Sequence, residues 1–132
     1  PQFRSSAASD VYKRQVDDYA VIGGLSAVHQ FCRIGKLAMI GGMSAVENDV
    51  IPYSLAIGNR AQVTGINIIG LKRAGISKEH IREYTKSVDK IFTGQSISKE
   101  IKKIDITKSD LIHDLISFIE NVSPRGLCKY ER

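Results

Sequence analysis

From Val16 to Val46 an aliphatic β-branched residue returns at every sixth position: Val16, Ile22, Val28, Ile34, Ile40 and Val46. A helix repeats its apolar face every three or four residues and a strand every second one. A period of six therefore predicts a solenoid of short flat strands stacked coil on coil. Two residues before the anchors stand small residues, Ala20, Ser26, Cys32, Ala38 and Ser44, as corners pressed against the next coil require. Three residues after them come Tyr19, Leu25, Phe31, Leu37 and Met43, which read as a second apolar row. Gly23, Gly35 and Gly41 directly follow their anchors, where glycine would supply the positive φ of a sharp turn. Three hexads make one triangular coil, so the six anchors give about two coils of a parallel β-helix.

The flanks depart from this beat. Residues 1–15 carry no hexad and no apolar row and read as a non-native or disordered leader. The solenoid runs over 16–52: the hexad fails at Glu47, Asn48 and Asp49, and Pro52, with no amide hydrogen for a ladder, ends it. Residues 53–64 are expected as a connecting loop, and 65–132 as a small all-α C-terminal domain. Within it, Gly65–Arg73 reads as a short helix that Gly75 ends. Ser77 caps a longer one with Ile81, Tyr84, Val88, Ile91 and Phe92 on one face, stopped at Gly94. A third helix is expected after Ser98, bearing Ile101 and Ile104. The last follows Ser109, with Leu111, Ile112, Leu115, Ile116, Ile119 and Val122 as its apolar stripe.

Composition narrows the function classes. The chain has 132 residues, 42% hydrophobic and 25% charged, as ordinary soluble globular protein does. No run approaches the ~18 apolar residues of a membrane span, which argues against stable membrane insertion. Two isolated cysteines, Cys32 and Cys128, point to neither a disulfide framework nor a zinc site, and a cytoplasmic home is expected. The net charge of +5 lies wholly from Tyr53 onward. There acids and bases interleave, as at Lys78, Glu79, Arg82, Glu83, Lys86 and Asp89, which is the pattern of a solvated helix face and not of a nucleic-acid surface.

Three segments carry a specific resemblance: VDDYAVIGGLSAVHQF at 16–31, DVIPYSLAIGN at 49–59 and GINIIGLKRAG at 65–75. Together with Arg125-Gly126-Leu127 they resemble the C-terminal part of the UDP-N-acetylglucosamine O-acyltransferases, hexapeptide-repeat enzymes that begin lipid A biosynthesis. The resemblance implies a left-handed parallel β-helix, a homotrimer with active sites between neighbouring β-helices, and no metal or organic cofactor. It implies transfer of an (R)-3-hydroxyacyl chain from acyl carrier protein to the 3-hydroxyl of UDP-N-acetylglucosamine. The general base of the family is a histidine in a coil before Val16, so no catalytic base is expected within these residues, and the piece alone is expected to be inactive.

The same resemblance assigns individual roles. His29 stands after its anchor where glycine stands in three other hexads. It matches a family histidine that supports the active-site cleft, although by sequence alone a polar corner or an interface residue reads as well. Gln30 matches a residue contacting the sugar nucleotide. Asn67 and Arg73 match residues that hold the nucleotide part, the guanidinium being suited to a diphosphate by its fixed fork of donors. Six residues apart on a helix, they lie about 120° apart around the axis and need not share a face. Ile69 and Ala74 depart from relatives that carry a glutamate and a second arginine there. Gly42 aligns with the position that limits acyl length. The missing side chain leaves room for a chain of about fourteen carbons in preference to one of about ten, each buried methylene being worth ~0.8 kcal/mol.

Two other classes stay open on the sequence: another hexapeptide-repeat acyl- or acetyltransferase, and a non-catalytic trimerising or binding module. The segment with Asn67 and Arg73 argues against the first.

Overall fold

The computed structural model describes residues 15–121 and 123–131. The leader expected over 1–15 lies outside these residues except for Gln15, which opens the first strand; Val122 lies outside them too.

Each hexad folds as one two-residue strand with its anchor second: β1 Gln15–Val16, β2 Val21–Ile22, β3 Ala27–Val28, β4 Arg33–Ile34, β5 Met39–Ile40 and β6 Ala45–Val46. Parallel pairing joins Val16 to Ile34, Ile22 to Ile40 and Val28 to Val46, so each coil returns after eighteen residues and the solenoid has three faces. The anchors point inward. Ile34, Ile40 and Val46 are completely buried, as are Ala20, Cys32 and Ala38 at the corners.

Two expectations about the corners are reversed. The residues three after the anchors, read as a second apolar row, bear the positive φ that was expected of the glycines: Tyr19, Leu25, Phe31, Leu37 and Met43 carry φ of 60, 59, 71, 55 and 56°. They are the left-handed turn residues, and Leu25 and Met43 are 88% and 74% exposed. The glycines that were expected to supply positive φ serve coil-to-coil approach instead. A Cβ on Gly23 would stand 2.6 Å from the Gly42 nitrogen, and one on Gly35 would stand 2.5 Å from the Pro52 nitrogen. At these positions stacked backbones leave no room for a side chain.

Residues 53–64, expected as a loop, contain strand. β7 Ser54–Ile57 adds in parallel to β5, and β8 Gln62–Ile66 folds back antiparallel on β7 through a turn with Gly58 at φ 118°. This extends one solenoid face to four strands, ordered β2-β5-β7-β8. The expected helix start at Gly65 is corrected for the same reason, because Gly65 and Ile66 belong to β8.

Four helices follow. α1 Ile68–Arg73 ends at Gly75, which takes φ 85°, as anticipated. α2 Lys78–Thr93 is capped by the Ser77 hydroxyl, which accepts from the His80 amide, and buries Ile81, Tyr84, Val88 and Ile91 as its spacing predicted. α3 Ile97–Lys102 starts two residues earlier than expected because Ser96, not Ser98, accepts from the Lys99 amide; Ile104 falls beyond it. α4 Asp110–Glu120 is capped by Ser109 and buries Leu111, Ile112, Leu115, Ile116 and also Phe118, which lay outside the expected stripe.

The segment is not purely helical. The tail returns to the solenoid: the Asp49 amide donates to Gly126 and the Cys128 amide to Asp49, while Val63 and Lys129 are joined in the same way. Parallel bridges link Asp49 to Leu127 and Val63 to Tyr130. The helices are fastened to the last coil by buried hydroxyls. Tyr84 donates to the Pro52 carbonyl and Tyr53 to Asp114, with the two rings edge to face at 5.4 Å. Burial raises both phenols well above their ordinary pKa; for Tyr53 the hydrogen bond to Asp114 adds to it.

Candidate functional site

The residue before each anchor points outward, and on the β2-β5-β7 face these positions are Val21, Met39 and Leu55. Three apolar side chains stacked on an outer face are unusual for a solenoid wall, where solvent favours polar groups. α1 lies across this face, carried there by β8. Between them opens a cleft of about 990 Å³, lined by Tyr19, Val21, Leu37, Met39, Leu55 and Ile66 on the solenoid side and by Asn67, Ile68, Ile69, Gly70, Arg73 and Ala74 on the helix side. Its walls are apolar; Arg73 is the one charged residue among those that line it.

Asn67 and Arg73 do therefore share a site, although their helical angles alone do not require it. Asn67 precedes the helix as its N-cap, so the cleft is bounded by one flank of a six-residue turn and by the residue that enters it. The Asn67 amide is already committed: its Oδ1 accepts from the Gly70 amide at 3.1 Å and its Nδ2 donates to the Leu37 carbonyl at 2.9 Å.

The other expected residues lie elsewhere. His29 and Gln30 are exposed at the corner that follows β3, and neither lines the cleft. The His29 backbone amide donates to Val46 and its carbonyl accepts from Cys32, and the residue is exposed. The Gln30 carbonyl accepts from Arg125 Nε at 2.8 Å. Gly42 sits exposed at the corner after β5. A Cβ there would meet Gly24 oxygen at 3.4 Å, an ordinary approach, so coil packing does not demand glycine at this position as it does at Gly23.

A second, polar cleft of about 690 Å³ lies between the β1-β4 face and α4, with Asp17, Asp18, Arg33, Lys36 and Asp114 on its walls. Burial and the neighbouring Asp18 raise the Asp17 carboxyl above its ordinary pKa. Among the described residues no group of three or more His, Cys, Asp or Glu is placed to hold a metal, and no helix is long and apolar enough to cross a membrane.

The cleft walls Tyr19, Val21, Met39 and Ile68 escaped the sequence reading. The signal was present: an apolar residue before the anchor at both Val21 and Met39, eighteen apart, marks one outer face as built to be covered.

Three-sided parallel coils of two-residue strands, stacked on an eighteen-residue return and followed by helices, define a hexapeptide-repeat β-solenoid protein. The model of the family described as UDP-N-acetylglucosamine O-acyltransferase, domain 2, matches residues 49–128, and the chain belongs to that family. The acyl-[acyl-carrier-protein]–UDP-N-acetylglucosamine O-acyltransferase of Nautilia profundicola is 39% identical over 120 residues, covering 89% of this chain and 46% of that one. Its namesake from Aliarcobacter butzleri is 38% identical, covering 86% and 44%. Among solved structures, the UDP-N-acetylglucosamine acyltransferase of Campylobacter jejuni superposes with a TM-score of 0.81 at 28% identity, over 89% of this chain and 46% of that one. That of Bacteroides fragilis gives 0.81 at 34%, over 88% and 46%. The chain spans a little under half the length of these relatives.

Proposed function

We propose that these residues form the C-terminal part of an acyltransferase that moves an (R)-3-hydroxyacyl chain from acyl carrier protein to the 3-hydroxyl of UDP-N-acetylglucosamine, the first step of lipid A biosynthesis. The observation that supports this most is α1 laid across an apolar solenoid face, with Arg73 the one charged residue lining the cleft between them. Such a cleft offers methylenes and rings to an apolar or flat ligand part and one fixed guanidinium fork to a phosphate group.

In the reaction the sugar hydroxyl gives its proton to a base as its oxygen attacks the thioester carbonyl, and the carrier thiol leaves. We place that base, a histidine, outside the present residues, so this part of the chain binds and positions. Arg73 holds the diphosphate, Gln30 the sugar nucleotide, and His29 supports the reacting end.

His29 and Gln30 lie at a different corner from Arg73, which fits a site completed by a neighbouring copy. We infer left-handed coiling of about two coils in this part, assembly as a homotrimer and a cytoplasmic location. The exposed Leu25 and Met43 at the turning corners are the apolar surface such an assembly would cover.

The test is direct. The complete protein, purified and supplied with 3-hydroxyacyl carrier protein and UDP-N-acetylglucosamine, should yield the 3-O-acyl sugar nucleotide. Arg73→Ala should raise KM for the sugar nucleotide about tenfold or more, the loss of a charged contact. No product with any acyl donor would refute the reading. The 132-residue piece alone should not turn over, and measurable transfer by it would overturn the placement of the base.

A further inference from the structure

α1 is only six residues long and buries a single side chain, Leu71. A helix of that length has little stability of its own, so something outside it must set where it sits and which flank it turns to the cleft. The contacts at its entrance supply this. Asn67 is held by four hydrogen bonds: its backbone amide donates to the Tyr53 carbonyl at 2.8 Å and its carbonyl accepts from Leu71 at 3.0 Å. Its side chain takes the Gly70 amide and gives to the Leu37 carbonyl. Leu37 is a left-handed corner residue of the solenoid, itself tied to the coil above by donation of its amide to Asp18. The Asn67 amide thus joins the first turn of α1 to a rigid corner of the coil stack.

Gly70 completes the arrangement. A Cβ there would overlap Asn67 Nδ2 and stand 2.8 Å from its Cγ. That amide is short and bonded at both ends, so it cannot swing aside without losing one of its two bonds.

We propose that Asn67 and Gly70 form a latch that sets the position and phase of α1, so that Asn67 also acts as a positioning residue for Arg73. The inference rests on the reading of the cleft as a sugar-nucleotide site only for its kinetic consequence. The latch itself is a property of the fold.

Helix propensity alone says that Gly70→Ala should stabilise α1. The latch requires the opposite sign. In the full-length enzyme, Gly70→Ala should raise KM for the sugar nucleotide about tenfold with little change in kcat, and should speed amide exchange at Gly70 and Leu71 by a similar factor. Asn67→Ser keeps a capping oxygen and removes the amide that the added methyl would strike, so in that background the further effect of Gly70→Ala should fall to about twofold or less. Asn67→Asp keeps the acceptor but loses the donor to Leu37, so by itself it should raise KM for the sugar nucleotide and speed amide exchange at Gly70 and Leu71 several-fold, while its carboxylate still fills the space that a Gly70 methyl would enter.

Independent, multiplying effects of the two substitutions, or faster turnover and slower exchange in Gly70→Ala, would overturn the latch. Full activity of Asn67→Asp would do the same. Exchange needs no substrate, so coupling in exchange without any acyl transfer leaves the latch standing and removes the transferase reading. Transfer without coupling does the reverse.

Discussion

Arg33 and Asp49 face each other across one coil, and Asp49 is completely buried. The Arg33 backbone amide donates to one carboxylate oxygen at 2.9 Å and its Nε to the other at 3.0 Å. The same guanidinium lies 4.1 Å over the Phe118 ring and donates to the Phe118 carbonyl at 3.0 Å. One side chain therefore ties the solenoid wall to α4. Removing the carboxylate leaves a largely buried cation and an unpaired backbone amide, so Asp49→Ala should cost about 3 kcal/mol in urea unfolding. A loss below about 1 kcal/mol, the range of surface pairs, would refute the burial argument.

Glycines in the stack should separate by role. Gly35→Ala drives a Cβ into the Pro52 backbone and should destabilise by about 1–3 kcal/mol. Gly42→Ala meets only ordinary contact and should stay within about 0.5 kcal/mol. Equal thermal shifts for the two would remove the distinction.

That freedom at Gly42 bears on acyl length. Because the fold does not require glycine there, Gly42→Met in the complete enzyme should leave the melting temperature nearly unchanged. It should move donor preference from chains of about fourteen carbons toward about ten, each excluded methylene forfeiting up to ~0.8 kcal/mol. Competition between two acyl donors in one tube reads this out, and an unchanged product ratio sinks the assignment.

Alkaline pH should weaken the fold. Burial pushes the Cys32 thiol up to about 11 and the Cys128 thiol to about 12, against an ordinary value of 9.0. Above pH 9.0 the unfolded chain releases these protons while the folded chain keeps them. Stability that is full below that value is thus lost progressively up to about pH 12. Cys32→Ala with Cys128→Ala should flatten the decline between about pH 9 and 11 in denaturant titrations, leaving the smaller slope due to Tyr53 and Tyr84. An unchanged slope would show that the thiols do not contribute.

The coils were legible in the sequence because one side-chain type recurs wherever the chain crosses the interior, so every anchor marks a strand. The corners were misread for an equally physical reason. Periodicity marks which residues are equivalent but not which of them bears the left-handed turn, and the glycines that seemed made for it are needed where two backbones touch. β7 was missed because its partner, β5, is supplied by the stack, and β8 because it pairs in turn with β7; only the Gly58-Asn59 turn announced them. Asn67 and Arg73 could be picked out by resemblance, yet their shared cleft depends on β8 delivering α1 to the face of Val21 and Met39, a long-range placement that no local spacing encodes.

The tail strands that bridge Asp49 to Leu127 and Val63 to Tyr130 also set an order in time. During synthesis the coil bearing Asp49 leaves the ribosome well before the segment that completes its ladder. Until Tyr130 has emerged, that coil offers open backbone groups on which a foreign strand could template. A chain halted near Asn121 thus leaves those groups open, and emergence of Leu127 to Tyr130 is the step that commits the coil to its own partner segment.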